Sequence, residues 1–403
     1  CRRVGMSVLY VSHGHPAFAK GGGELAAWRL FEAFRSKPGF EGSGFLAAAS
    51  SPDQLPAGSE VLGLSPDEWL IKRSTSAITH DTAVNLSSGG QLHQALAGRC
   101  FQIIHLHHYL HVGIDLVLAL KRWFPKAKLL LTLHDYWGPC VYEGRLLRAS
   151  GELCSGGDPE ACDQCLGGGR RGELAVRQVR LQRLISIIDH FICPSYFLKR
   201  QYSHWGVSSG RLSVIENLPA KKLLDVQKQR SQKELVVGYF GQLNRWKGVD
   251  LLVEAVHVAR NQGINLILEI NGPPAGIQLL KSDGIFWNGR YEPEQLWERM
   301  ARVDVVAMSS IWFENSPMVI QESYQCSKPV VAPDLGGMAE KVHDGRTGLL
   351  FVNGDVDSLA GKMVCLAQNR SLLASLAKGA AYHAIPRQRL INAHQRFYQR
   401  LLI

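Results

Sequence analysis

Two carboxylates stand eight positions apart around a helix-start signal late in the chain, in Glu314-Asn-Ser-Pro-Met-Val-Ile-Gln-Glu322. Ser316 is a good N-cap residue and Pro317 suits the first helical position, so the spacing predicts a helix that begins here. The backbone N–H groups of such a helix start can hold phosphate. Glu322 falls inside the predicted helix and Glu314 in the loop before it. Because ligand hydroxyls best explain carboxylates beside phosphate, the pattern indicates a sugar-nucleotide site. The alternative is an ordinary capped helix with two solvated glutamates.

Two further groups suit phosphate chemistry. Lys247 stands before a Gly-led helix, where an ammonium can neutralise charge on phosphate oxygens. The triplet Gly21–Gly23 follows the first predicted strand, and its lack of Cβ atoms lets a backbone pass close to a diphosphate. The alternatives are a solvated lysine and a flexible turn.

A run of histidines, His105, His107 and His108, offers imidazoles that are common zinc ligands. In an extended segment the first two share a face and the third points away, and no adjacent cysteine or carboxylate completes a metal site. The sequence therefore favours ligand or core positions over metal. His134 stands at another predicted strand end, where it could line a ligand site or belong to the core.

Four of the nine cysteines are grouped in a loop rich in Gly, Asp and Arg: Cys140, Cys154, Cys162 and Cys165. The last two have the spacing of a zinc knuckle. We expect a structural zinc ion here, with free thiols and disulfides as the alternatives.

Alternating strands and helices must position these groups, and this alternation predicts parallel, doubly wound sheets. The predicted strands of the first half are Ser7–Ser12, Gly44–Ala48, Ile103–Leu106, Leu129–Leu133 and His190–Cys193. Those of the second half are Leu235–Phe240, Asn265–Ile270, Ile285–Asn288, Val303–Met308, Pro329–Ala332 and Gly348–Phe351.

The chain of 403 residues is too long for one core and fits two domains. We predict an N-terminal Rossmann-like domain over residues 1–217, with a Cys-rich insertion at 138–170, and a C-terminal one over 233–380. A helical tail, 381–403, could pack back on the first domain. Lys221–Glu234 is polar and Lys-rich, as expected of a linker.

Composition sets limits on function. Hydrophobic content of 46% and charged content of 20% are those of a globular protein, and no apolar run approaches the ~20 residues of a membrane span. The net charge of +10 is dispersed, which argues against nucleic acid as a partner.

The densest basic row is Arg170, Arg171, Arg177, Arg180 and Arg183. It predicts a solvated helix face or, alternatively, a patch that binds an anionic membrane surface or an acceptor. We expect a cytoplasmic protein, with peripheral attachment to the membrane as an option.

Taken in order, the motifs resemble those of the retaining glycosyltransferases of family 4, whose GT-B fold has two Rossmann-like domains facing a cleft. The matching segments are Gly21–Gly23, His105-Leu-His107, Gly241–Gly248, Asn288–Tyr291, Glu314–Glu322 and Pro333–Gly337.

The resemblance implies roles for individual residues. Glu314 and His107 would position the transferred sugar and Lys247 would hold the diphosphate. Donor-binding positions would be Gly22, Gly23, Gln242, Arg245, Tyr291, Asn315, Ser316, Pro317, Met318 and Glu322, the last on the ribose hydroxyls. The sequence departs from the family at Gln242, where arginine is common, and Arg245 is the candidate to replace that charge.

The implied function is transfer of a sugar from a UDP- or GDP-sugar to a glycan or lipid-linked acceptor in polysaccharide or glycoconjugate synthesis. Retention would proceed on the front face without a catalytic metal or other cofactor. The alternatives are a nucleotide-sugar 2-epimerase of similar fold and a basic, non-enzymatic binding protein.

Overall fold

The computed structural model describes residues 5–76, 78–222, 234–276 and 282–403. The chain divides into two compact units: unit 1 comprises Cys1–Leu218 and Gln388–Ile403, and unit 2 comprises Pro219–Arg387. Most of the predicted linker Lys221–Glu234 lies outside the described residues.

Unit 1 is built on an eight-stranded sheet in the order β3-β4-β2-β1-β5-β6-β7-β8, parallel except where β3 runs against β4. Apolar residues fill both faces of its central strands, as in β1, because helices cover a parallel sheet on both sides. The strands are β1 Val8–Ser12, β2 Gly44–Ala48, β3 Val61–Ser65, β4 Glu68–Ile71, β5 Ile103–Leu106, β6 Lys128–Thr132, β7 His190–Cys193 and β8 Leu212–Val214. The helices are α1 Gly22–Arg35, α2 Gln91–Ala95, α3 Ile114–Trp123, α4 Pro159–Cys165, α5 Arg171–Ile187 and α6 Tyr196–His204.

Unit 2 contains a six-stranded, wholly parallel sheet in the order β11-β10-β9-β12-β13-β14. Its strands are β9 Leu235–Phe240, β10 Leu266–Asn271, β11 Ile285–Trp287, β12 Val305–Ala307, β13 Val330–Pro333 and β14 Gly348–Phe351. Its helices are α7 Val249–Asn261, α8 Leu296–Arg302, α9 Met318–Gln325, α10 Gly336–Lys341, α11 Val356–Gln368 and α12 Arg370–His383. Apolar cores lie on both faces of this sheet.

The last helix, α13 Arg387–Leu401, belongs almost entirely to unit 1. Its Tyr398 is fully buried, packs on Phe34 at a ring-centroid distance of 5.4 Å, and shares a 2.7 Å hydrogen bond with His105 at the end of β5. Residues nearly 300 positions apart thus complete one core.

The prediction of two doubly wound α/β domains is confirmed, and every predicted strand is present within two residues at each end. The sequence analysis missed β3, β4 and β8. The first is half exposed and antiparallel, and β8 has three residues at a sheet edge, so neither carries the buried apolar run that marked the others.

The basic row on α5 does not form one solvated or membrane-facing surface. Arg177 is buried and donates to the carbonyls of Trp137 and Gly138, and Arg180 pairs with Asp81 at 3.0 Å and Asp115 at 2.8 Å. Two of the five arginines therefore fasten the helix to its own unit. Among the described residues, none of the helices combines the length and apolarity needed to cross a membrane.

Candidate functional site

Glu314 is the centre of the candidate site in unit 2. Its Oε1 accepts hydrogen bonds from Lys247 Nζ at 2.5 Å, Ser310 Oγ at 2.8 Å and Trp312 Nε1 at 2.9 Å. Burial alone would raise the pKa of this carboxyl, but Lys247 and the two neutral donors outweigh burial and hold the pKa below its ordinary value. Glu314 is therefore ionised at neutral pH. The structure brings together the two residues that the sequence analysis assigned to the sugar and the diphosphate.

Lys247 is fixed by a tight turn at the end of β9. The Asn244 side chain accepts from the Lys247 N–H at 3.0 Å, and Ser309 Oγ donates to the Lys247 carbonyl at 2.9 Å. Gly248 follows in the left-handed region, with φ of 62°, and a Cβ there would lie 2.0 Å from the Ser309 carbonyl oxygen. Only glycine fits this close approach, which holds the lysine turn against the segment that leads to Glu314.

Helix α9 begins one residue later than the sequence predicted. Pro317 has φ of −61° and ψ of 118°, so it takes the N-cap position, and Met318 is the first helical residue. The prediction of Ser316 as N-cap is wrong: Ser316 is buried, and no N-cap side chain bonds the first turn. The extended ψ of the proline explains the shift, since an N-cap residue has non-helical geometry. The helix still starts close to Glu314, with Met318 four residues after it.

The loop before α9 packs closely on the start of α10. The Gly337 N–H donates to the Glu314 carbonyl at 3.1 Å, and a Cβ on Gly337 would lie 2.1 Å from the Asn315 carbonyl oxygen. Gly337, the last residue of the Pro333–Gly337 segment, thus allows two backbones to meet beside the site.

Glu322 has a structural partner as well as its predicted ligand role. It is buried on α9, and its Oε1 accepts from the Ala220 N–H at 3.2 Å, near the start of unit 2. Contact with a ribose remains a prediction for this residue.

The segment Asn288–Tyr291, which contains the predicted donor-binding Tyr291, is held by Arg299 of α8. Its guanidinium donates to the carbonyls of Asn288, Gly289 and Arg290 at 3.1 to 3.2 Å and lies over the Tyr291 ring, 5.5 Å from the centroid. Sequence reasoning missed this arginine, because it stands among other charged residues on a short helix. It fixes the main chain of this predicted donor-binding segment.

Gln242 and Arg245, two of the predicted donor-binding residues, lie between β9 and α7. Gln242 is exposed, and its backbone carbonyl accepts from Tyr239 Oη at 2.8 Å. The Arg245 guanidinium lies over the neighbouring Trp246 ring at 5.3 Å. It remains a prediction that Arg245 supplies the charge of the arginine that the family commonly has at the position of Gln242.

In unit 1, His107 shares a 2.9 Å hydrogen bond with His134 through its Nδ1. Burial, with His105 and His134 nearby, keeps the pKa of His107 well below its ordinary value, so the ring is neutral. Its Nε2 is a buried atom without a hydrogen-bond partner among the described residues. His105 instead belongs to the core, bonded to Tyr398 and to Thr132 at 2.7 Å each.

Two carboxylate–histidine pairs, not anticipated from the sequence, lie where β1, β5 and β6 of the unit 1 sheet end. His13 Nε2 is 3.1 Å from Glu24, and His108 Nε2 is 2.8 Å from Asp135, with the two imidazole rings 4.8 Å apart. Glu24 occupies the space beside the glycine triplet, where a Cβ on Gly21 would lie 2.4 Å from its Oε2. Gly21 therefore makes room for this side chain, whereas a Cβ on Gly23, in the first turn of α1, would lie 3.1 Å from the His13 ring. Donor binding by Gly22 and Gly23 remains a prediction.

The four grouped cysteines are free thiols in the structure. Burial and the neighbouring Cys140 raise the pKa of the Cys162 thiol to about 11. Within the described parts of the chain, no three or more His, Cys, Asp or Glu side chains are placed to hold a metal ion. Zinc remains a prediction without support from this arrangement.

Models of two protein families match the chain, one in each half. "Glycosyltransferase Family 4" matches residues 55–218 and "Glycosyl transferases group 1" matches residues 221–382. The two matches adjoin and leave outside residues 1–54, which contain β1, α1 and β2, and residues 383–403, which contain the last helix.

Curated relatives are named D-inositol 3-phosphate glycosyltransferase. The protein of that name from Rhodococcus erythropolis is 27% identical over 309 residues, which cover 70% of this chain and 64% of the relative. The chain thus spans less than two thirds of the length of that relative.

Solved structures share the fold at low identity. Sucrose-phosphate synthase from Thermosynechococcus elongatus superposes with a TM-score of 0.69 and 17% identity, covering 98% of this chain and 99% of that one. HepE from Anabaena, solved in complex with UDP-glucose, superposes with a TM-score of 0.65 and 18% identity, covering 98% of this chain and 99% of that one. Given the two adjoining family matches, the chain belongs to the family 4 glycosyltransferases, the glycosyl transferases of group 1.

Proposed function

We propose that this protein transfers a sugar from a nucleotide-sugar to an acceptor hydroxyl, with retention at the anomeric carbon. The observation that carries the proposal is the Lys247–Glu314 pair at the start of α9. A half-buried ammonium and a largely buried carboxylate beside a helix start match the charges of a sugar diphosphate. The cation and helix dipole suit phosphate, and the carboxylate suits sugar hydroxyls.

The contacts of Glu314 explain how the pair could separate when donor binds. Ser310 and Trp312 also donate to Glu314 Oε1, so the carboxylate keeps two hydrogen bonds if Lys247 turns toward the diphosphate. Negative charge grows on the departing nucleotide in the transition state, and an ammonium placed there lowers the barrier. In this proposal the departing phosphate takes the proton of the acceptor hydroxyl, and no divalent metal takes part.

UDP-sugars are the first donors to test, because HepE was solved with UDP-glucose. GDP-sugars remain the second choice from the sequence. For the acceptor, the curated relatives suggest a cyclic polyol carrying phosphate, beside the glycan or lipid-linked acceptor of the sequence analysis.

A panel of nucleotides and nucleotide-sugars, followed by thermal shift, tests the donor class. A ligand at one hundred times its Kd should stabilise the fold by about 2.7 kcal/mol, so selective stabilisation identifies the base. Lys247→Ala should lower turnover of the selected donor by roughly 100-fold, as expected when a charged transition-state donor is lost. Glu322→Gln should weaken nucleotide affinity about tenfold while keeping an acceptor for the Ala220 N–H.

Lys126→Ala is the matched control, since Lys126 is exposed and lies in unit 1 just before β6. It should behave like the parent in both measurements. Normal turnover in Lys247→Ala and normal affinity in Glu322→Gln would show that the assigned site is wrong.

A further inference from the structure

The carboxyl edge of the unit 1 sheet carries a cation that the proposed chemistry does not use. Strands β4, β2, β1, β5 and β6 run parallel, so the residues that follow them meet at one edge, where open α/β sheets bind ligands. His13 follows β1, His107 follows β5 and Asp135 follows β6. Arg73 stands two residues after β4 and lies within electrostatic range of His13.

Arg73 is held in place by a neutral imidazole. Its Nη2 is 2.6 Å from His111 Nε2, and His111 Nδ1 is 3.2 Å from the Ser74 carbonyl. Because Nδ1 must donate to that carbonyl, Nε2 is the acceptor for Arg73. Burial, and then Arg73 itself, lower the pKa of His111 to about 4, which keeps the ring in this uncharged form.

No carboxylate lies within ion-pair distance of Arg73 among the residues that the structure describes. Other arginines of unit 1 do have such partners: Arg99 pairs with Asp67 at 2.6 Å and Arg180 pairs with Asp115 at 2.8 Å. The carboxylates near the edge are already committed, Glu24 to His13 and Asp135 to His108. Arg73 is thus a half-buried guanidinium whose charge is not balanced by a neighbouring side chain.

Buried polar atoms at the same edge also lack partners. Ser12 Oγ ends β1, His13 Nδ1 follows it, and His107 Nε2 follows β5, and each is without a hydrogen-bond partner within the described ranges. Ser12 and His107 are almost fully buried. Unsatisfied buried polar groups are costly, so their clustering indicates a place that a polar ligand fills.

We propose that Arg73 binds an oxyanion, phosphate or carboxylate, on the acceptor, and that acceptor hydroxyls reach Ser12 Oγ and His13 Nδ1, while His107 Nε2 stays with the transferred sugar. The inference rests on the proposed sugar transfer, because it assigns the acceptor subsite of that reaction to this edge. It makes an anionic, hydroxyl-rich compound the preferred acceptor. A guanidinium suits both anions, since its fork matches two oxygens at once.

Binding can be measured on the full chain saturated with the nucleotide that the panel selects, so that the diphosphate site is filled. Inorganic phosphate, glucuronic acid and glucose are then added separately and the Tm is followed. At least one of the two anions should stabilise the parent, and the one that does so identifies the source of the oxyanion. Arg73→Gln should lose that stabilisation, and glucose should affect both proteins alike.

Lys72→Gln is the matched control, because it removes one positive charge from the adjacent, exposed residue. It should keep the response to the anion. In turnover assays with D-inositol 3-phosphate and myo-inositol as acceptors, Arg73→Gln should raise KM for the phosphorylated compound about tenfold or more. It should leave kcat and the use of myo-inositol unchanged. Arg73→Lys should have a KM for the phosphorylated compound between those of the parent and Arg73→Gln.

Equal stabilisation of Arg73→Gln and the parent, or no response of the parent to either anion, would overturn the subsite. Both outcomes leave the proposed transfer standing if the nucleotide still binds and Lys247→Ala still lowers turnover. Failure of those two measurements would instead remove the proposed function itself.

Discussion

At the scale of single residues, Trp312 joins the two groups that the proposed chemistry needs. Its indole N–H donates to Glu314, and Lys247 Nζ lies 5.9 Å from the centroid of its ring. One side chain therefore holds the carboxylate by a hydrogen bond and the ammonium by a cation–π contact. This arrangement makes Trp312 a positioning residue, and its two contacts can be separated by substitution.

Trp312→Phe should raise the pKa of Glu314, because one donor to the carboxylate is lost while an aromatic ring remains near Lys247. A hydrogen bond to a charged group contributes about 1.5–3 kcal/mol, so kcat/KM should fall roughly 10- to 100-fold. The acidic limb of the profile of kcat/KM against pH should move to higher pH. Glu314 is needed as a carboxylate, and its folded pKa lies below the ordinary value, so the parent should lose activity only below about pH 4.5.

Trp297→Phe serves as control, since it also removes an indole N–H bond, here the 3.0 Å bond to the Lys221 carbonyl. It should lower Tm without moving the acidic limb. An unchanged pH profile in Trp312→Phe would show that the indole does not tune Glu314.

The sequence allowed Glu314 and Lys247 to be chosen, because helix-start and strand-end signals lie beside them. It did not identify Arg299, Glu24 or Arg73. Their importance comes from neighbours distant along the chain, such as the carbonyls of residues 288–290 for Arg299. A charged residue on an amphipathic helix has the same local pattern whether it is solvated or placed in a site.

At the scale of elements, the turn between β9 and α7 shows how backbone conformation fixes the site. Gly248 combines a left-handed φ with a contact that forbids any Cβ. Gly345 has a similar φ, 71°, but nothing lies within 4 Å of the Cβ position. The two glycines separate the cost of the backbone conformation from the cost of the close approach.

Gly345→Ala should lower the unfolding free energy by about 1–2 kcal/mol, the cost of the left-handed conformation. Gly248→Ala should cost a further 1–3 kcal/mol, roughly, because Ser309 must move to admit the methyl group. Thermal denaturation of both variants checks this difference. Equal losses would mean that the Ser309 segment adapts freely, and that the turn does not hold Lys247 in place.

Elements were predicted well where burial is continuous and poorly where it is not. The buried strand β9 was placed to the residue, whereas the half-exposed β3 was missed. The start of α9 was displaced by one residue because a Ser-Pro pair suits two arrangements, Ser or Pro at the N-cap. In the structure Pro317 takes the N-cap position, and Ser316 is buried by tertiary packing.

At the scale of the whole molecule, the buried histidines of unit 1 link its stability to pH. Burial lowers the pKa of His134 to about 3 and that of His394 to about 4, and holds those of His105 and His107 well below the ordinary value. In the unfolded chain these four histidines take up protons below about pH 6.5, while in the folded chain they stay neutral until the pH is lower. Stability should therefore be full above pH 6.5 and decline as pH falls toward 4.

His394→Gln tests one of these contributions. The parent should lose about 2 kcal/mol through this residue between pH 7 and 5, and the variant should lack that loss. Urea unfolding at the two pH values measures the difference. His204→Gln, at an exposed position, should keep the pH dependence of the parent. The same dependence in His394→Gln as in the parent would exclude His394 as a source of acid sensitivity.

Alternation of strand and helix was enough to predict two α/β domains, but it could not show that the closing helix completes the first of them. That information lies in contacts such as Tyr398 with His105, which no local pattern encodes.

Because α13 supplies Tyr398 to the core of unit 1, the order of synthesis and the order of folding differ. The ribosome must make all of unit 2 before the last core residues of unit 1 exist. Unit 2 is continuous, so it can fold as soon as it emerges, while the earlier-made unit 1 waits with an incomplete core. During translation, the first half of the chain is therefore the half that spends the longest time with an incomplete core.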